Sequence, residues 1–289
     1  MFNLKRQKLA KKIRDKNFFI APGVFDMLSA RIADKLNFDA LYMTGYGTVA
    51  SYLGLPDAGL ASYRDMVNRV GVIASGVSKP LIADADTGYG GLINIAQTIK
   101  GYESSGACAL HIEDQVNPKR CGHTKGKQLV SKDEMCSRLK VALDSRSDEN
   151  FLIIARTDSL SEEGLANACR RSESYIKTGV DMLFVEGYRT ISEMKEITSN
   201  FNNIPIMINL SEAGNTPKLD SNQLMELGFT LAIFPGTAFS ASAATMQFVY
   251  KKLFDDKSTS RLSIPLLKGN DMHKLMGFED IWNFENKWK

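Results

Sequence analysis

Apolar residues along the chain gather in eight short runs, separated by longer stretches whose apolar positions recur every three or four residues. The runs cover residues 18–24, 40–44, 80–86, 108–114, 151–158, 182–187, 204–210 and 230–235. Each has the length of a strand. The spacings Leu92-Ile95-Ala96-Ile99 and Met135-Leu139-Ala142-Leu143 are helical. The runs are apolar nearly throughout, as expected of strands covered by helices on one face and a packed interior on the other. Asn37, Gly106, Gly179 and Gly228 precede runs where a helix would end. Eight βα units predict an α/β fold, a (β/α)8 TIM barrel; a doubly wound open sheet shares the same periodicity. No Pro/Gly/Ser-rich linker divides the chain, so residues 1–289 read as a single barrel domain with a C-terminal helical extension. Two long segments without periodicity, 46–61 and 115–130, both follow strands, and loops there lie on the catalytic face of a barrel.

Composition narrows the function classes. With 36 Lys+Arg against 33 Asp+Glu, the net charge of +3 leaves no basic surplus for nucleic acid or an anionic membrane. A small-molecule substrate is expected. Residues 227–250 carry no charge, but Pro235-Gly236 and six hydroxyl or amide side chains argue for a buried strand running into a helix, not a membrane span. The basic residues Lys5 to Lys16 around Leu4, Leu9 and Ile13 read as a solvated amphipathic helix. The four cysteines form no C-x-x-C pair and follow no signal peptide, which predicts a reduced, cytoplasmic protein.

Candidate chemistry collects at one end of the strands. Asp84 and Asp86 close the third run, His111, Glu113 and Asp114 the fourth, Arg156 and Asp158 the fifth, Glu186 the sixth and Asn209 the seventh. Buried charge needs partners, so such endings predict one polar centre at the barrel mouth. Asp84 and Asp86, two residues apart, project to the same side of a strand and offer hard oxygens suited to Mg2+, with Glu113 in support. In the loop Lys119-Arg120-Cys121-Gly122-His123, a cysteine among cationic side chains is a candidate acid or nucleophile. Cys108, Cys136 and Cys169 read as packing residues. The Gly45-Tyr46-Gly47 turn has backbone N–H groups suited to an anion.

Taken together, these motifs resemble the isocitrate lyase and phosphoenolpyruvate mutase superfamily over almost the whole chain. The matching stretches are Ala21-Pro22-Gly23, Tyr42-Met43-Thr44-Gly45, Leu53-Gly54-Leu55-Pro56-Asp57, Asp84-Ala85-Asp86-Thr87-Gly88, His111-Ile112-Glu113-Asp114-Gln115, Lys119 to His123, and Ala155-Arg156-Thr157-Asp158. The cysteine loop resembles that of the C–C lyase branch, which includes isocitrate, 2-methylisocitrate and 2,3-dimethylmalate lyases and the petal death protein. The resemblance implies a homotetramer, a dimer of dimers, with a C-terminal helix swapped between copies. It also implies Mg2+, with Mn2+ as a substitute, held near Asp84, Asp86 and Glu113 with Asp57 outside them. Cys121 would be the acid, Tyr42 the base, and Arg156, Lys119 and His123 would assist. Thr44, Gly45, Tyr46, Gly122, Glu186, Asn209 and Ser211 would bind a 2-hydroxydicarboxylate that is split into an α-keto acid and a carboxylate. Tyr46 stands where methylisocitrate lyases carry glycine, and Ser240 where they carry a carboxylate-binding arginine. Thr44-Gly45-Tyr46 resembles the dimethylmalate lyase and petal death branch more closely. Oxaloacetate hydrolysis or decarboxylation, the carboxyphosphonoenolpyruvate phosphonomutase reaction and an inactive metal- or anion-binding barrel are the alternatives.

Overall fold

The computed structural model describes residues 2–122, 126–212 and 214–289. Eight parallel strands close into a barrel in sequence order: β1 (Phe19–Val24), β2 (Leu41–Met43), β3 (Leu81–Asp84), β4 (Ala109–Glu113), β5 (Leu152–Thr157), β6 (Met182–Val185), β7 (Ile206–Asn209) and β8 (Leu231–Phe234). Closure is direct, since β1 pairs with both β2 and β8. Every expected run contains one strand, one to three residues shorter than the run.

Side-chain alternation then sorts each strand into two faces. Ile82, Ala109, Leu152, Ile154, Met182, Phe184, Met207, Leu231 and Ile233 form one buried cluster inside the barrel. Leu110, Ile112, Ile153, Leu183 and Ile208 belong to clusters packed under the surrounding helices. Going up each inward series by twos leads from apolar floor to polar mouth: Ile82 to Asp84, Ala109 through His111 to Glu113, Ile154 to Arg156, Phe184 to Glu186, Met207 to Asn209. The register aligns them, pairing Asp84 with His111 and Glu113 with Arg156 across adjacent strands.

Three expectations need correction. The N-terminal helix Phe2–Arg14 is not simply solvated: Leu9, Ala10 and Ile13 join the interior cluster and close the barrel floor. Lys5 is buried and donates to the carbonyls of Ala74 and Val77 at 3.1 and 2.6 Å, and Arg6 to that of Ala107 at 3.0 Å. Their stems bury while their heads donate to backbone carbonyls, which hydropathy alone does not reveal. Second, part of segment 46–61 is helical, Gly45–Leu53. Its two early glycines hide the helical pattern. Third, Asp86 lies beyond β3 in a left-handed turn at φ 47°, so it reaches the mouth through that turn and not through strand alternation.

The chain divides into two compact units, residues up to Thr237 and Ala238–Lys289. The second contains most of helix Thr237–Asp256, then Gly269–Met276 and Phe278–Lys287. Its aromatic residues His273, Phe278 and Trp282 cluster together. Ser240 lies in this unit. Among the described residues, no helix is long and apolar enough to cross a membrane.

Candidate active site

Asp84, at the end of β3, is held by its surroundings. Its carboxylate accepts from the Asp86 N–H at 2.9 Å and its carbonyl from the Tyr102 hydroxyl at 3.1 Å, with Tyr89 in turn 2.8 Å from Tyr102. A Cβ on Gly45 would lie 2.5 Å from Asp84 Oδ2, so only glycine lets helix Gly45–Leu53 start against this carboxylate. Burial opposes the charge on Asp84, but His111, Lys119 and Arg156 outweigh it and hold its pKa below the usual carboxylate range. Asp86 is shifted the other way, raised by burial and by Asp84 and Asp57 against the pull of Lys119.

Lys119 enters this group as its cation. Its ammonium lies 2.6 Å from Asp57 and 3.0 Å from Asp86, and the side chain is buried. The positive charge that the sequence placed beside Cys121 is therefore engaged below the loop, by the acidic cluster.

Glu113 is fully buried and neither carboxylate oxygen has a hydrogen bond, although Arg156 Nε lies 3.3 Å away. Burial raises its pKa well above the ordinary value despite the attraction of Arg156 and Lys119. Orphaned carboxylate oxygens beside Asp84 and Asp86 suit a hard divalent cation that retains part of its water shell. Among the described residues, no three His, Cys, Asp or Glu groups stand close enough to hold an ion directly. The donor set fits Mg2+ bound partly through water.

Arg156 is the best-anchored cation of the site. Nε and Nη2 each donate to Asp158 at 3.1 Å, Nη2 lies 4.0 Å from Glu186, and the guanidinium stacks over the Phe184 ring. Glu186 accepts from the Asn209 amide at 2.9 Å, while Asn209 Oδ1 is buried without a partner and thus free for a ligand. Thr44 and Ser211 are buried at the same end of the barrel, and Tyr46 is half exposed on the first turn of its helix.

Tyr42 and His111 form the floor. The Tyr42 hydroxyl lies 2.8 Å from His111 Nε2, and the rings stack. Burial lowers the His111 pKa to about 4, so the ring is neutral and the 3.6 Å approach to Asp84 is not an ion pair at neutral pH. Burial and Asp84 raise the Tyr42 pKa well above its ordinary value.

The loop after β4 closes over the mouth. Gln115 accepts the Arg120 N–H and donates to the Arg120 carbonyl, both at 2.9 Å. Lys127 donates to the Gly122 carbonyl at 2.6 Å and lies 3.8 Å from Asp158. A Cβ on Gly122 would collide with Arg156 Nη2, so Gly122, next in the chain to Cys121, lies directly against the site's arginine. His123, also a sequence candidate, lies outside the described residues. Sequence reasoning placed His111 and Asp158 at the mouth as members of inward series without separate roles, whereas the bond from Lys127 to the Gly122 carbonyl arises from the loop folding back.

Comparison with known proteins agrees with this geometry. Residues 9–254 match the family model described as phosphoenolpyruvate phosphomutase. The chain is 36% identical to a 2,3-dimethylmalate lyase of Eubacterium barkeri over 283 residues, covering 97% of both chains. It is 36% identical to a 2-methylisocitrate lyase of Shewanella oneidensis, covering 92% of this chain and 89% of the other. Among solved structures, an oxaloacetate acetylhydrolase bound to 3,3-difluorooxalacetate superposes with a TM-score of 0.93 at 33% identity, covering 98% of this chain and 96% of the other. A 2,3-dimethylmalate lyase of the PEP mutase/isocitrate lyase superfamily gives 0.92 at 35% identity, covering 98% and 95%.

Proposed function

Because the chain belongs to the phosphoenolpyruvate phosphomutase family, within the PEP mutase/isocitrate lyase superfamily, we propose that it is a carbon–carbon lyase. It splits a substituted 2-hydroxydicarboxylate, of the 2,3-dimethylmalate or 2-methylisocitrate type, into an α-keto acid and a carboxylate. The observation that carries this reading is the acidic cluster of Asp84, Asp86 and Glu113 beside anchored Arg156, beneath a loop that carries Cys121.

Asp84, Asp86 and Glu113, with Asp57 outside them, would hold Mg2+ or Mn2+. When bound, the ion supplies positive charge to the carboxylate and 2-oxygen of the substrate. Arg156 neutralises negative charge as the C–C bond breaks, at no reorganisation cost because Asp158 and Glu186 already fix its plane. Cys121 delivers a proton to the carbanionic carbon of the departing fragment. Tyr42 takes the proton of the substrate's 2-hydroxyl as it passes its own to neutral His111 Nε2, 2.8 Å away, so the 2-oxygen becomes the keto oxygen and the C–C bonding electrons leave with the departing fragment. Asn209, Ser211 and the N–H groups of Gly45 and Tyr46 receive the distal carboxylate.

The assembly belongs to the same reading. Helix Thr237–Asp256 buries none of its 20 residues and leaves Met246, Phe248, Tyr250 and Phe254 in water. That supports a homotetramer, a dimer of dimers, with C-terminal helices exchanged between copies. The same reading places the enzyme in a reducing, cytoplasmic setting.

The TM-score of 0.93 to an oxaloacetate acetylhydrolase keeps oxaloacetate hydrolysis as the second reading. Proton NMR of the products from 2,3-dimethylmalate, 2-methylisocitrate, isocitrate and oxaloacetate with Mg2+ separates the two. Acetate and oxalate from oxaloacetate, with no turnover of the 2-hydroxy acids, would replace the lyase reading.

A further inference from the structure

The outward face of β4 and β5 carries a polar group that the reaction does not use. Asp114 is fully buried outside the barrel wall, where apolar side chains otherwise fill the layer beneath the helices. Its Oδ2 accepts from the Thr157 hydroxyl at 2.7 Å and the Tyr175 hydroxyl at 2.8 Å. Its Oδ1 accepts the Asp158 backbone N–H at 2.9 Å. Arg171, bound through two nitrogens to Glu163, lies 3.5 Å from Oδ2.

A buried carboxylate is costly, and three donors and a nearby guanidinium converging on one indicate that its place is specified. Tyr175, Arg171 and Glu163 belong to the helices after β5, and hydrophobic residues in their place could have packed this layer without any charge. What only an acceptor at this point can do is hold the Asp158 N–H. Asp158 is where β5 ends and helix Ser159–Glu163 begins, with φ −95° and ψ 7°. Its backbone faces Asp114 outside the wall, while its side chain reaches inward to both nitrogens of Arg156.

We propose that Asp114 is a positioning residue for the reaction. From outside the barrel it fixes the Asp158 backbone, Asp158 fixes the Arg156 guanidinium, and the plane of that guanidinium is what stabilises the developing charge. The proposal rests on the lyase reading of the site, and one arm of its test does not depend on turnover.

Asp114→Ala is expected to lower kcat by about tenfold or more, the scale of a small misplacement of an aligned group, with a much smaller change in KM. Asp114→Asn retains most of the rate, since Oδ1 still receives the Asp158 N–H while the amide faces hydroxyls able to accept. Tyr175→Phe removes one donor on the far oxygen, so it lowers the melting temperature yet leaves kcat within about twofold. In an Asp158→Asn background, Asp114→Ala adds little, because the connection is already broken. If stranded hydroxyls keep Asp114→Ala from folding, the triple variant with Thr157→Val and Tyr175→Phe removes them and loses the same rate. Crystal structures of the wild type and the alanine variant read the guanidinium position directly. Displacement supports the proposal even if none of the tested acids is a substrate, in which case only the lyase reading fails. The proposal is overturned by an unmoved Arg156, by a wild-type kcat in a folded alanine variant, by an equal rate loss in Tyr175→Phe, or by additive losses with Asp158→Asn.

Discussion

A single methyl group on Gly122 tests whether the cysteine loop has to lie against Arg156. In Gly122→Ala the new Cβ collides with Arg156 Nη2 and stands 3.4 Å from Asp158 Oδ1 and Glu186 Cγ. Gly122 has no positive φ, so backbone strain does not enter. Either the arginine or the loop must give way. Arg156 is held by two hydrogen bonds to Asp158, by Glu113 at 3.3 Å and by the Phe184 ring, each charge-assisted bond contributing roughly 1.5–3 kcal/mol. The loop segment is the more exposed of the two, its Gly122 carbonyl accepting from Lys127 and its Arg120 backbone clamped by Gln115, whereas Arg156 is buried. The loop therefore yields. Overpacking of this kind costs about 1–3 kcal/mol, equivalent to about 5–150-fold in the population that places Cys121 correctly. We expect kcat to fall by about that range, followed by coupled detection of the released keto acid. The melting temperature should hardly move, because Arg120 to Gly122 bury little surface. Trypsin cleavage after Arg120 should accelerate in parallel. A wild-type kcat would show that the loop need not approach Arg156, and a rate loss matched by a collapsed melting curve would show that Gly122 is a folding residue.

Other outcomes follow from the same site. Cys121→Ser should lower kcat by about 10²-fold with little change in melting temperature; an unchanged rate would place the proton donor elsewhere. Activity should vanish on chelation and return with Mg2+, and full turnover by metal-free enzyme would refute the ligand role of Asp84, Asp86 and Glu113. The kcat/KM for 2,3-dimethylmalate should exceed that for 2-methylisocitrate by about tenfold, the difference between charged and neutral hydrogen bonding of a third carboxylate. The reverse preference would show that another cation serves that group. His111, depressed to about 4 when folded against 6.5 unfolded, contributes stability that is present above pH 6.5 and lost as pH falls toward 4. Its imidazole NMR shifts in metal-free protein should stay constant from pH 8 to 5, and a midpoint near 6.5 would contradict the buried, neutral assignment.

Sequence alone fixed the eight strands, because a strand in a closed barrel must be apolar on both faces and its polar residues can appear only where it leaves the wall. The same rule made Asp84, Glu113, Arg156, Glu186 and Asn209 readable as one mouth, since parity and strand ends are local properties. What pairs with what was not local. Lys119 sits beside Cys121 in the chain, yet its ammonium belongs to Asp57 and Asp86, because a long side chain goes where several carboxylates most need charge. Lys5 and Arg6 look like solvent residues until the barrel floor presents carbonyls that require donors. Asp86 reaches the site through a left-handed turn braced by the tyrosines behind it. Asp114, next to Glu113 in sequence, faces the opposite side of the wall, because neighbouring residues on a strand point apart. Its four partners come from residues 43 to 61 positions further along the chain, and only closure of the barrel brings them to it.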